Sequence, residues 1–190
     1  MDGLTPPPIS GPPPVPASRI MPASGLSDAE YVGAFLEEFG AAPGKPVVFT
    51  DVIGEPVVIT DAFFRLFPGG PYKVDKRGRQ KFIRVIADTI RQPDEIWWVW
   101  EERSGEMTLR RHHVAHWTVP GQDARLTVVM DVAPDGWRGV TAFEVDKSRE
   151  LEKRRRGTLA WRRSQERPDA GPPGLLLTSL TGGHRPLGVR

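Results

Sequence analysis

Gln80–Trp100 reads QKFIRVIADTIRQPDEIWWVW, and it contains both of the periodicities on which the fold rests. At about 100° per residue, Phe82, Ile83, Ile86 and Ile90 fall in one narrow apolar stripe, with Lys81, Arg84, Asp88 and Arg91 opposite. Pro93 stops the helix because it lacks an amide hydrogen and biases Gln92 toward extended geometry. Glu95–Trp100 then follows as a β-branched and aromatic run. A helix therefore feeds directly into a sheet.

Downstream, strand candidates follow one another across short turns. Ser104-Gly105 turns Glu95–Glu102 into Met107–Val119, Pro120-Gly121 opens into Ala124–Val132, and Pro134-Asp135-Gly136 leads to Trp137–Asp146. Turns this short predict an antiparallel meander, pairing Glu95–Val99, Leu109–Trp117, Leu126–Asp131 and Val140–Val145, with Phe82, Ile86 and Ile90 packed upon it. Lys147–Arg156 reads as a charged helix ended by Gly157, and Thr158–Arg163 as a short returning strand.

Upstream, Ser27 opens SDAE, in which its hydroxyl can cap the Glu30 amide while Glu30 reaches back. Val32, Phe35, Leu36 and Phe39 supply the apolar face of that helix. PVVFTDVIGEPVVIT places two β-branched runs around Gly54-Glu55 and reads as a hairpin, and Thr60 or Asp61 caps a short helix, AFFRLF, ended by PGGP. The fold class expected is α+β, with helices packed on a four-stranded antiparallel sheet and an N-terminal helix and β-hairpin alongside. Residues 1–23 are rich in proline and read as a disordered linker, a polyproline spacer rather than an SH3 ligand. The domain is expected over 24–163, and 164–190 reads as a disordered tail.

The chain has 190 residues and a formal net charge of +2. It shows neither an apolar run of membrane length nor a basic start followed by an apolar core, so no membrane span and no secretory signal are expected. It has no cysteine, which excludes disulfides and thiolate chemistry. Basic residues bunch in Lys73–Lys81, Arg110–His116 and Lys153–Arg163, the pattern of a localised polyanion site rather than a uniformly sticky surface.

In MTLRRHHVAHW, strand alternation puts Met107, Leu109, Ala115 and Trp117 on the core face, leaving Thr108, Arg110, His112, Val114 and His116 on the open one. Arg111 and His113 share the parity of the core set, so they are either satisfied buried groups or residues turned outward by a bulge. Arg79 lies in line with the apolar stripe at the helix start, where, with Lys73 and Lys76, it can hold a phosphate; the alternative is an ion pair with a carboxylate such as Asp75. His112 and His116 lie roughly 13 Å apart at strand rise, too far to share an ion. Carboxylates do not cluster for magnesium, and there is no glycine-rich phosphate loop. Metal-free RNA cleavage needs a base, an acid, and cations around the phosphorane, which Arg, Lys, His and Thr can supply. Mid-strand Thr141, in GVTAFEV, is a candidate donor to a phosphate oxygen.

VVFTDVIGEPVVIT, KVDKRGRQKFIRVIADTIRQPDEIWW, LRRHHVAHW, DGWRGVTAFEV and RRRGTLAWR, in that order, resemble a phage-associated nuclease family. It is the second phage group of the barnase, EndoU, colicin and RelE-like superfamily, often the C-terminal module of phage minor head proteins. The similarity runs from about Ala34 to Arg163. It implies a metal-independent, toxin-like ribonuclease with no cofactor, acting on RNA such as tRNA in the host cytoplasm or carried in the virion. An immunity protein and a capsid or portal component are the protein partners implied. Arg79, Arg110, Arg111 and Thr141 match the family's positions, and His112 stands where the family often has an aromatic. The expected site is therefore Arg79, Arg110, Arg111, His112 and Thr141 for catalysis, with Lys73, Lys76, Arg154, Arg155 and Arg156 for RNA binding. The rival expectation is a catalytically inert phage head module that uses the same basic face to bind nucleic acid or a capsid partner.

Overall fold

The computed structural model describes residues 14–75, 78–103, 105–145 and 148–163. Helix α1 (Asp28–Glu37) starts on the expected capping box, with the Glu30 amide donating to Ser27 Oγ and the Ser27 amide to the Glu30 carboxylate. A hairpin follows, strands β1 (Val47–Thr50) and β2 (Pro56–Ile59), and then a 3-10 turn at Asp61–Phe64 takes the place of the expected short helix. Helix α2 (Ile83–Arg91) is preceded by a second 3-10 turn, Arg79–Phe82, so the regular helix begins one turn later than the apolar stripe suggests. Strands β3 (Glu95–Arg103), β4 (Glu106–Val119), β5 (Gln122–Ala133) and β6 (Gly136–Glu144) form the antiparallel meander. Helix α3 (Ser148–Arg154) and strand β7 (Thr158–Arg162) complete the described chain.

The meander is not a sheet on its own. All seven strands join in the order β1-β2-β6-β5-β4-β3-β7, which corrects the expectation of four. At one side, Val57 and Val58 of β2 pair in parallel with Trp137 and Arg138 of β6; at the other, β7 pairs antiparallel with the start of β3. Both additions cover edges that would otherwise present unpaired amides and carbonyls. Gly136 permits the first of them, since its φ is +133° and a Cβ there would stand 2.6 Å from the Pro56 carbonyl oxygen.

One face of the sheet carries the main core. Phe82, Ile83, Ile86 and Ile90 are all buried against Ala115, Trp117, Leu126, Val128 and Met130, with Phe35 and Leu36 of α1 behind them. The polar side of α2 is also engaged: Arg84 and Arg91 reach Glu38, while Arg19 bridges Glu38 and Asp88. The opposite face, expected to be open, holds a second apolar cluster of Trp97, Val99, Val114 and Val145, closed by Leu151 of α3.

Residues 14–23, assigned to the linker on composition, dock on the fold instead. The Val15 amide donates to the Thr118 carbonyl, the Met21 amide to the Lys81 carbonyl, and Val15 is buried. Proline content describes the backbone's stiffness, whereas Val15 and Arg19 supply an apolar anchor and an ion pair that local composition does not weigh. Residues 1–13 and 164–190 lie outside the described residues.

Ile86 has no exposed surface, so Ile86→Ala should cost about 2–5 kcal/mol in urea unfolding. Val48→Ala, at an exposed position on β1, should stay within about 0.5 kcal/mol of the parent. Equal effects at the two positions would contradict the placement of the core.

Candidate functional site

The paired Arg-His motif of β4 splits across the sheet. Register with both β3 and β5 is continuous through Arg110–His113, so no bulge turns Arg111 or His113 outward. Both are fully buried on the helix side. The Arg111 guanidinium is paired with Asp51, donates to Glu55 at 2.8 Å, and lies 5.4 Å from the Trp137 ring centroid. A cation with no exposed surface and two carboxylates upon it is closed to a phosphate and already compensated in charge, so Arg111 is removed from the expected site. His113 is sealed beneath α2, where burial, with Arg111 beside it, holds its basicity well below the ordinary imidazole value.

On the other face, Arg110 is held between Glu101, at 3.0 Å, and Asp131, at 2.8 Å. His112 sits beside it without any exposed surface, its Nδ1 3.1 Å from the Arg154 carbonyl and its Nε2 3.4 Å from Glu101. An acid or base must come within about 2.6–3.2 Å of the proton it moves, directly or through one water, and α3 closes His112 off. The same packing engages the basic run after it. The Arg154 guanidinium reaches Glu101 at 3.3 Å and stacks 5.0 Å from the Phe143 ring. Arg155 donates to Glu95 at 2.7 Å, a buried carboxylate that also accepts from Arg162 and Trp97. Neither arginine is a free RNA-binding cation. Arg156 is exposed and makes no ion pair among the described residues.

Four of the expected residues do meet. Arg79, Arg110, Thr141 and Lys73 line one open cleft of about 700 Å³, together with Arg138 and a rim that includes Phe67. The cleft follows β6 beyond the point where β2 stops pairing with it. Arg138, Asp131 and Arg110 lie in register across the sheet, and a register shift at Val129/Met130 precedes the Val129–Thr141 pair.

Arg79 is 4% exposed and reaches this edge from the helical layer. Its Nε donates to the Val74 carbonyl at 2.8 Å, one terminal nitrogen to Lys73 O at 2.5 Å and the other to Ala142 O at 3.3 Å. No carboxylate lies within ion-pair distance of it among the described residues; the expected alternative, a pair with Asp75, does not form. Burial lowers its pKa, opposed only by the field of Asp28. The Thr141 hydroxyl is buried and has no hydrogen-bond partner among the described residues. Lys73 is exposed, and Lys76 lies outside the described residues. A buried cation held by main-chain carbonyls alone keeps its charge uncompensated within the described residues, and it lines the same cleft as Thr141.

Arg65, Arg138 and Phe67 belong to the cleft and were not singled out from sequence. The signal was PGGP flanked by aromatics, which marks a tight loop presenting Phe67. Among the described residues no group of three or more His, Asp or Glu side chains is placed to hold a metal ion.

Burial holds His112, His113 and His116 of β4 below the ordinary imidazole pKa. The unfolded chain takes up protons near pH 6.5 while the folded chain resists them, so stability is full above that pH and falls on acidification. The limiting slope is about 1.4 kcal/mol per pH unit for each such histidine. Urea midpoints between about pH 7.5 and 5.5 should fall, and His113→Gln should flatten part of the fall; a level profile would contradict the burial.

Residues 34–162 match the profile of the family described as phage-Barnase-EndoU-ColicinE5/D-RelE like nuclease2. No curated protein and no solved structure matches the chain significantly. No helix among the described residues is long and apolar enough to cross a membrane. The family match spans most of the chain, from the second half of α1 to the end of β7, and takes in every residue named as lining the cleft. The chain belongs to this phage family of barnase-, EndoU-, colicin- and RelE-like nucleases.

Proposed function

We propose that the chain is a metal-independent endoribonuclease that holds the scissile phosphate in the cleft beside β6. The observation that carries this reading is Arg79, a buried guanidinium that has no carboxylate counter-charge among the described residues and lines the same cleft as Thr141, whose buried hydroxyl has no partner among them either. A phosphodiester supplies what both lack, a negative charge for Arg79 and an acceptor for Thr141. In 2′-hydroxyl attack the 2′-oxygen gives its proton to water and bonds to phosphorus, the bond to the 5′-oxygen breaks, that oxygen takes a proton from water, and charge builds on the non-bridging oxygens. Donors fixed in place before the reaction stabilise that charge most where water is excluded. Arg79 is so fixed by three main-chain carbonyls. Lys73 and Arg138, exposed on the walls, bind flanking phosphates. His112 is a packing residue in this reading and not the acid or base.

A specific observation favours the rival reading, a catalytically inert phage head module that grips nucleic acid. Among the described residues, those lining the cleft include no histidine and no carboxylate, the side chains that most often serve as acid and base. Incubating the protein with total RNA in EDTA separates the readings. Cleavage should occur and should drop by about two to three orders of magnitude in Arg79→Met, the usual cost of losing one charge-stabilising donor. His112→Gln, if folded, should cleave at nearly the parent rate. Tight RNA binding without cleavage in the parent protein supports the inert module instead.

A further inference from the structure

The described chain has a second feature at the cleft, one that the phosphate site does not use. We infer that Phe67 is a nucleobase platform, on which one unpaired base of the RNA stacks while the neighbouring phosphate occupies the cleft. This deepens the nuclease reading and rests on it.

Phe67 is 60% exposed, although its neighbours Phe63 and Phe64 are buried in the core. It is also held rigidly. The Gly70 amide donates to the Phe67 carbonyl at 2.9 Å and the Leu66 amide to the Pro71 carbonyl at 3.2 Å, closing the turn. A Cβ at Gly70 would meet the Phe67 ring at 2.7 Å, so the ring rests on a bare stretch of backbone and any side chain at Gly70 would displace it. Arg65 braces the loop from within: it donates to Gly70 O at 2.5 Å and Asp61 at 2.6 Å, and its guanidinium carbon lies 4.2 Å from the Tyr72 ring centroid. A presented ring that is already ordered loses little freedom when a partner stacks upon it.

The surroundings select the partner. Phe67 lines the same cleft as Lys73, Arg79, Arg138 and Thr141, so a ligand reaching the ring also meets several cations. An aromatic face beside a cationic groove is the arrangement that binds single strands, the base on the ring and the backbone along the charges. A base inside a duplex has both faces covered and cannot use the ring. The substrate class is therefore RNA unpaired at the nucleotide next to the scissile phosphate, such as a loop of a folded RNA.

The test measures the binding of a labelled single-stranded 2′-O-methyl oligoribonucleotide, which cannot be cleaved by 2′-hydroxyl attack, and of its duplex, across a salt series in EDTA. Phe67→Ala should weaken single-strand binding by about tenfold, leave duplex binding unchanged and leave the salt slope unchanged. Phe67→Trp should bind at least as well as the parent, and Phe67→Leu, which keeps apolar bulk without the π-face, should resemble Phe67→Ala. Lys73→Ala, by contrast, should lower the logarithmic salt slope by about one. If Phe67→Ala binds the single strand like the parent while Lys73→Ala still lowers the slope, the phosphate cleft stands and the platform is overturned, leaving Leu66 and Phe67 to a protein partner. Equal losses for single strand and duplex also overturn it. If the parent protein shows no salt-dependent binding, the nuclease reading fails and the platform fails with it.

Discussion

Arg111, buried in the middle of β4 with Asp51 and Glu55 upon it, joins two parts of the chain that local sequence treats as separate. The carboxylates come from the β1–β2 turn, and Glu55 also accepts from Trp137 at the start of β6. Burying a guanidinium costs several kcal/mol in desolvation, and removing one partner of such a pair costs about 3–5 kcal/mol, so the hairpin has one low-energy position against the meander. That position places β2 beside β6 and fixes where the β2–β6 pairing ends. Beyond that end the edge of β6 is left to Arg79 and the cleft. Strand parity does the rest, since with Arg111 inward Arg110 must face the side from which the cleft opens.

Much of the basic character that suggests a polyanion site is spent inside the fold. Arg110, Arg154 and Arg155 look alike in sequence, yet each meets a carboxylate on a distant strand: Glu101, Asp131 or Glu95. These pairs hold α3 and β7 against the meander and seal His112. What remains for a ligand at the cleft is a smaller set: Arg79, which unlike the other buried arginines has no acidic partner among the described residues, the exposed Lys73, and Arg138, whose pair with Asp135 is itself exposed to solvent. The charge that counts for function is the one the fold leaves uncompensated, not the densest run of basic residues.

The elements set by local periodicity or capping were legible in the sequence. The Ser27–Glu30 box, the stripe of Phe82, Ile83, Ile86 and Ile90, and the turns of the meander depend on residues close together in the chain. What was not legible depends on distant partners. The parallel pairing of Val57 with Trp137 leaves no trace in local pattern, and neither does the docking of Val15 against Thr118. At the site, Arg79 and Lys73 were legible from their place at a helix start and Thr141 from a motif that resembles the family's, and the fold brings the three to one cleft; Arg111 and His112 were misplaced because the groups that bury them, Asp51, Glu55 and α3, lie far away in sequence. Phe67 was missed because AFFRLF has the look of a short helix, whereas the chain leaves the 3-10 turn at Phe64 and turns Phe67 outward.

The central claim is that Arg79, and not the more conspicuous paired arginines of β4, meets the phosphate. Arginine side-chain NMR, following the Nε–H signals while an uncleavable 2′-O-methyl oligoribonucleotide is added, tests it at the atom concerned. The account predicts that the Arg79 signal moves and saturates with the ligand while the Arg111 signal stays where it was. A shift of Arg111 with Arg79 unchanged would contradict it.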